Sequence, residues 1–191
     1  TIGENPSSPS LPGSPFIYYG EEIGMRSMDG VPMIEGSRDR SAERTPMQWG
    51  PGQTAGFSTC DPSQLYLPVD TSQGRPEVEA QINDPESMLN WTKGLLELRA
   101  KTPALGNTGN WKMVSDPYKP YPVVYERFDG EDRYLVVLNP REKPAEVKVG
   151  EYVSLEVVWG DTGDLKVARR GGIMTLKIKG TASVICRIIN N

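Results

Sequence analysis

Residues 12–25 read PGSPFIYYGEEIGM. Within them PFIYYG, residues 15–20, is a short continuous apolar run bounded by turn residues. Such a run predicts a strand buried on both faces, the usual situation in a parallel sheet. Two carboxylates, Glu21 and Glu22, follow directly. Adjacent residues at a strand end point in opposite directions, so the pair cannot flank one bond. They read as structural hydrogen-bond acceptors at the rim of a sheet.

Upstream, TIGENPSSPSLPG is rich in Pro, Ser and Gly, with neither a charged n-region nor an apolar h-region. Residues 1–14 therefore read as an irregular lead-in and not as a signal peptide. Downstream, from Glu21 to about Pro76, periodicity is weak and Gly, Pro, Ser and Asp are frequent. A structureless stretch of that length inside a compact domain signals a functional loop region. Its most unusual part is RSAERTPMQW, residues 40–49, where Arg40 and Arg44 stand four apart and Arg44 leads into Thr-Pro.

DPESMLNWTKGLLELRAKTPAL, residues 84–105, is the clearest helix. Asp84 suits its N-cap, Met88, Leu89, Leu95, Leu96 and Leu98 form an apolar face, and Pro103 stops it. Beyond Gly106 the pattern changes to YPVVYERF, RYLVVLN, AEVKV, SLEVVW, IMTLKI and SVICRII. Turn clusters such as DGED, NPREKP, GDTGD, RRGG and KGTA separate several of them. Short, regularly spaced strands predict an all-β antiparallel sandwich or barrel.

Composition narrows the chemistry. A net charge of −4 gives no basic footprint for nucleic acid. No run approaches the roughly 18 apolar residues that span a bilayer. There is no histidine, which removes Ser-His-Asp and Cys-His catalysis and His-bearing zinc sites from this chain. Cys60 and Cys186 read as free thiols, which tilts an otherwise open compartment toward a soluble, cytoplasmic setting.

The order PGSPFIYYGEEIGM, RTPMQW, AGFS, LPV and LLELRAKTPAL resembles the carboxy-terminal part of glycoside hydrolase family thirteen, the α-amylase family. Its α-glucosidase, oligo-1,6-glucosidase and trehalose synthase members are the most similar. The resemblance implies an α+β fragment. Residues 15–106 would be the last strand, long loop and last helix of a (β/α)₈ TIM barrel, and residues 107–191 a β-sandwich, domain C. In such barrels the loops leaving the carboxyl ends of the strands form the catalytic face.

It further implies that Arg40, four residues before the Arg of RTP, hydrogen-bonds hydroxyls of a non-reducing glucose. A planar guanidinium suits vicinal hydroxyls. The triplet Arg38-Asp39-Arg40 leaves a second register open, with Arg38 in that place. Asp39, Arg44 and Trp49 are the expected loop anchors. Trp49 and Phe57 could equally stack on sugar or be buried beneath the loop. Tyr118, Tyr121, Tyr125, Tyr134 and Trp159 read as core and cross-strand residues, with carbohydrate binding as the competing reading.

Family members act on α-glucosides with retention, using two Asp and one Glu from earlier barrel strands, the reacting pair about 5 Å apart. Those residues precede PFIYYG, so no catalytic residue, metal or cofactor is expected on this chain, which alone should be inactive. The expected partners are an α-glucoside or α-gluco-oligosaccharide and an amino-terminal barrel portion, as a missing segment or a separate chain. The competing class is a non-catalytic β-sandwich module that binds glycan or stabilises a partner.

Overall fold

The computed structural model describes residues 10–34, 40–119 and 121–189. They fall into two compact units, Phe16–Lys93 and, separately, residues 10–15 with 94–189.

The second unit is built on eight strands: β1 (Asn110–Met113), β2 (Val123–Asp129), β3 (Asp132–Asn139), β4 (Ala145–Val149), β5 (Ser154–Trp159), β6 (Leu165–Arg170), β7 (Ile173–Ile178) and β8 (Ala182–Ile189). They form a five-stranded sheet, β1-β2-β3-β8-β5, and a three-stranded sheet, β4-β7-β6. Every pairing is antiparallel. Turn chemistry sets the register of two hairpins. Arg170 faces Ile173, so β6 and β7 are joined by Gly171 and Gly172 alone, both at positive φ (58° and 82°). A two-residue turn of that kind matches the strand twist and favours glycine. Asp129 likewise faces Asp132, with Gly130 at φ 57° in the turn.

The central strands are buried on both faces, which explains their near-continuous apolar sequence. Val124, Leu135, Val137, Val184 and Cys186 meet Val149, Met174, Leu176 and Ile178 of the three-stranded sheet in one core. The alternate residues Tyr125, Tyr134, Val136 and Ile185 form a second cluster with Leu95, Ala104 and Leu105. Period-2 alternation thus serves two cores at once. Tyr125 and Tyr134 are buried, Trp159 packs at the edge of the second cluster, and Tyr118 and Tyr121 are exposed.

Two strands escaped the sequence reading, β1 and β6. All four residues of β1 are exposed, and only Leu165 of β6 is buried. Both are edge strands, which need little apolar surface: β6 is largely polar, and β1 leaves even Trp111 and Met113 exposed.

Two arginines tie residues 10–13 to this unit. Arg127, fully buried, donates to the carbonyls of Ser10 (2.7 Å), Gly106 (2.6 Å), Gly109 (3.4 Å) and Asn110 (3.3 Å). Arg99 donates to the carbonyls of Leu11 and Gly13 and to Oδ1 of Asn107. Burial, with the neighbouring Arg99 charge second, holds the Arg127 guanidinium below its ordinary pKa. Ser10 and Tyr125 share a hydroxyl hydrogen bond of 2.7 Å.

The helix predicted over 84–105 is α2 (Met88–Lys101), preceded by a short α1 (Val78–Gln81). Asp84 does not cap it. The Asp84 carboxylate accepts from Glu86 N–H in a preceding turn, while Ser87 Oγ accepts from Asn90 N–H at the helix start. The strand predicted at 15–20 is not formed. Residues 14–18 carry no regular structure, residues 19–20 turn, and Phe16 is 91% exposed. A parallel strand exists only through its neighbours, and among the described residues none pairs with it. No helix among the described residues is long and apolar enough to cross a membrane.

Candidate functional site

The site is built in residues 16–93 from segments with little regular structure, so local hydrogen bonds must set its shape. A single 3-10 turn, Glu21–Ile23, lies between Gly20 (φ 89°) and Gly24 (φ 74°). A side chain at Gly20 would also collide with Met25. Both carboxylates close this turn: Glu22 Oε2 accepts from Gly20 N–H (2.8 Å) and Glu21 Oε2 from Tyr18 N–H (3.2 Å). Both therefore serve as acceptors within the turn, although the strand end expected to hold them is not formed.

The RTPMQW loop is pinned from several sides. Met47 is buried with Ile23, Met25 and Leu89. The Tyr19 hydroxyl donates to the Thr45 carbonyl (3.0 Å), and the buried Gln48 amide donates to the Pro76 carbonyl (2.6 Å). The carbonyls of Gln48 and Trp49 receive the first N–H groups of α1, from Val78 (3.0 Å) and Glu79 (2.9 Å). Loop and helix thereby satisfy each other's open backbone groups. The Ala55 carbonyl accepts from both Trp49 and Gly50 N–H. Ala55 is fully buried at φ 51°, a left-handed conformation that non-glycine residues seldom hold. Gln81 adds a bridge, donating to the Ile23 carbonyl (2.8 Å) and accepting from Leu89 N–H (3.0 Å).

These anchors leave a pocket of about 400 Å³ walled by Tyr19, Trp49, Phe57 and Tyr66, with Glu22 and Arg44 supplying charge. The aromatic rings remain exposed despite lining it: Trp49 52%, Phe57 52% and Tyr66 60%. Burial, reinforced by Tyr18 and opposed by Arg44, pushes the Tyr19 hydroxyl up to about 12. It is a neutral hydrogen-bonding group at physiological pH and not a base. Among the described residues Glu22 is the pocket's one carboxylate, and it already holds a backbone N–H. The walls can hold a ring-shaped, polyhydroxylated molecule, but among the described residues they contain no nucleophile and acid pair.

Arg44 and Trp49 line this pocket. Arg44 is exposed and makes no ion pair among the described residues. Trp49 holds the loop through its backbone and turns its ring outward. Arg40 is exposed, leads into the 3-10 turn Ser41–Glu43 and is not among the lining residues. Arg38 and Asp39 lie outside the described residues. The sequence reading missed Gln48, Gln81, Tyr19 and Tyr66. Gln48 and Gln81 work as buried amides satisfying backbone groups, a role with no periodic signature. No group of three or more Cys, Asp or Glu among the described residues is placed to hold a metal.

Residues 7–108 match the family described as "Alpha amylase, catalytic domain". The chain is similar to the trehalose synthase/amylase TreS of Mycolicibacterium smegmatis, 46% identical over 96 residues, covering 48% of this chain and 15% of the relative. It is similar to a trehalose synthase of Pimelobacter sp., 35% identical over 164 residues, covering 79% of this chain and 27% of the relative. The crystal structure of the isomaltulose synthase SmuA from Protaminobacter rubrum superposes with a TM-score of 0.79 at 22% identity, covering 97% of this chain and 37% of that one. The chain thus spans well under two thirds of these proteins. With more than half of its length matched by the catalytic-domain family, and a fold shared with SmuA, this chain belongs to the α-amylase family, glycoside hydrolase family thirteen.

Proposed function

We propose that the chain is the carboxy-terminal portion of a retaining α-glucosidase-like enzyme that hydrolyses or transfers terminal α-glucosyl groups. Residues 15–106 supply the last loop and helix of a (β/α)₈ barrel together with the segment 15–20 that pairs as its last strand once neighbouring strands are present, and residues 107–191 a β-sandwich of the domain C type. The observation that carries the reading is the catalytic-domain match over residues 7–108. The aromatic pocket with its Arg44 and Glu22 supports it as one wall of a sugar site. Arg40, exposed at the entry to the Ser41–Glu43 turn, contacts the non-reducing glucose, with Arg38 as the alternative register. Asp39, Arg44 and Trp49 hold the loop. Two Asp and one Glu come from polypeptide outside these residues, and no metal or cofactor takes part.

The test is release of p-nitrophenol from p-nitrophenyl α-glucoside. The 191-residue chain alone is expected to release none, and addition of an amino-terminal barrel portion carrying the three carboxylates is expected to restore turnover. Turnover by the chain alone, with contamination excluded, overturns the assignment.

A further inference from the structure

The β unit carries a second cavity, of about 350 Å³, where the loop between β1 and β2 meets β4. Among the described residues β4 pairs with β7 alone. Its other edge at 146–148 therefore offers backbone N–H and C=O groups that no ladder takes up. Side chains of both signs line the same space: Asp116 and Glu146 against Lys119 and Lys148. Asp116 Oδ1 already accepts from Tyr118 N–H (3.0 Å), which fixes the carboxyl and leaves Oδ2 available. Tyr121 supplies an aromatic wall. The Arg141 guanidinium stands 5.4 Å from the Tyr121 ring centre without lining the cavity, which holds the ring in place.

We infer that this cavity binds a neutral gluco-oligosaccharide. Two carboxylates and two ammonium groups cancel, so an anionic ligand gains little there. A polyhydroxylated ligand uses both, since each hydroxyl donates and accepts. An apolar ring face beside mixed donors and acceptors fits a pyranose, whose C–H face is apolar and whose rim is polar. The choice of α-linked glucose units rests on the function proposed above. The binding itself does not, because no catalytic group is involved.

The experiment is a maltotriose titration of the 191-residue chain, followed by amide NMR. Saturable shifts are expected at Asp116, Tyr121 and Val147, with a Kd on the order of 1 mM. Tyr121→Ala should weaken binding about tenfold, and Lys148→Ala severalfold. Phe57→Ala should leave these shifts unchanged. Three results overturn the inference: no saturable shift around 115–122 and 146–148; binding unaffected by both variants while the rest of the spectrum stays native; or tighter, salt-sensitive binding of a sulfated trisaccharide. A cellotriose arm separates the readings. Binding of maltotriose and cellotriose alike supports the site without the α-glucan assignment, whereas failure of both sinks the site whatever the p-nitrophenyl assay shows.

Discussion

Arg127 shows how much of this structure rests on single polar residues. Its guanidinium is fully buried and spent on four carbonyls. Arg127→Met would remove those donors and strand the acceptors, at a cost of about 3 kcal/mol or more. Urea unfolding of the β unit should show this as a lower midpoint, and Arg127→Lys should recover little, since one ammonium cannot reach all four oxygens. The two thiols make a second residue-level contrast. Cys186 is fully buried and its thiol is pushed up to about 12 by burial, while Cys60 is half-buried. Under native conditions a disulfide reagent should titrate Cys60 quickly and Cys186 only on unfolding. Tyr152 carries a pH dependence. Burial, and next the Glu126 carboxylate, raise its hydroxyl from 10.0 to about 12. Above pH about 10 the unfolded chain releases this proton before the folded one does, so stability is intact below that pH and falls as pH rises toward 12. Ultraviolet titration of tyrosinate alongside unfolding curves checks it. Neither Arg127 nor Tyr152 stood out in the sequence, and although both cysteines read as free thiols, which of them is buried is decided by what surrounds it in three dimensions.

At the scale of elements, legibility followed burial. β2, β3 and β8 were plain in the sequence because both cores draw on them, and β7 because its Met174, Leu176 and Ile178 alternate into the first. β1 and β6 were not, because an edge strand needs little apolar surface. Helix α2 was legible in its body but not at its start. Asp84 and Ser87 are both good caps by type, and only the chain path shows Ser87 Oγ meeting Asn90 N–H. Ser87→Ala should therefore cost about 1 kcal/mol, and more than Asp84→Ala, by thermal or urea unfolding. Gly160 is a harder constraint. It sits at φ 100°, and a Cβ there would lie 2.6 Å from the Ser183 carbonyl oxygen. Gly160→Ala should destabilise by more than about 1 kcal/mol, with the loss seen in the β5–β8 amides by hydrogen exchange.

For the molecule as a whole, the resemblance supplied what patterns could not. PFIYYG reads as a buried strand, yet here Phe16 is 91% exposed and Tyr18 and Tyr19 are 45% and 41% exposed. Apolar residues that lie open in one segment are a surface waiting for cover. Under the proposed function that cover is the rest of a barrel. Phe16→Ser should then raise the solubility of the 191-residue chain with little change in melting temperature, and should weaken reassembly with an amino-terminal portion; a fall in melting temperature would show that Phe16 is already packed. The candidate pocket was half legible: Trp49 and Phe57 were named from the sequence as candidate stacking aromatics and Arg44 as a loop anchor, whereas Tyr66 joins them only through a path folded around Ala55.

The clasp on residues 10–13 has a consequence for synthesis. Ser10 is held by Arg127, 117 positions later in the chain, so its partner leaves the ribosome on the order of ten seconds after it does. Until Arg99 and then Arg127 emerge, the early segment lacks the side chains that hold it in the β unit. Closing so long a loop is also slow to reward. The β unit must therefore finish folding around a segment of polypeptide that left the ribosome well before it, and chaperone dependence should concentrate in that window.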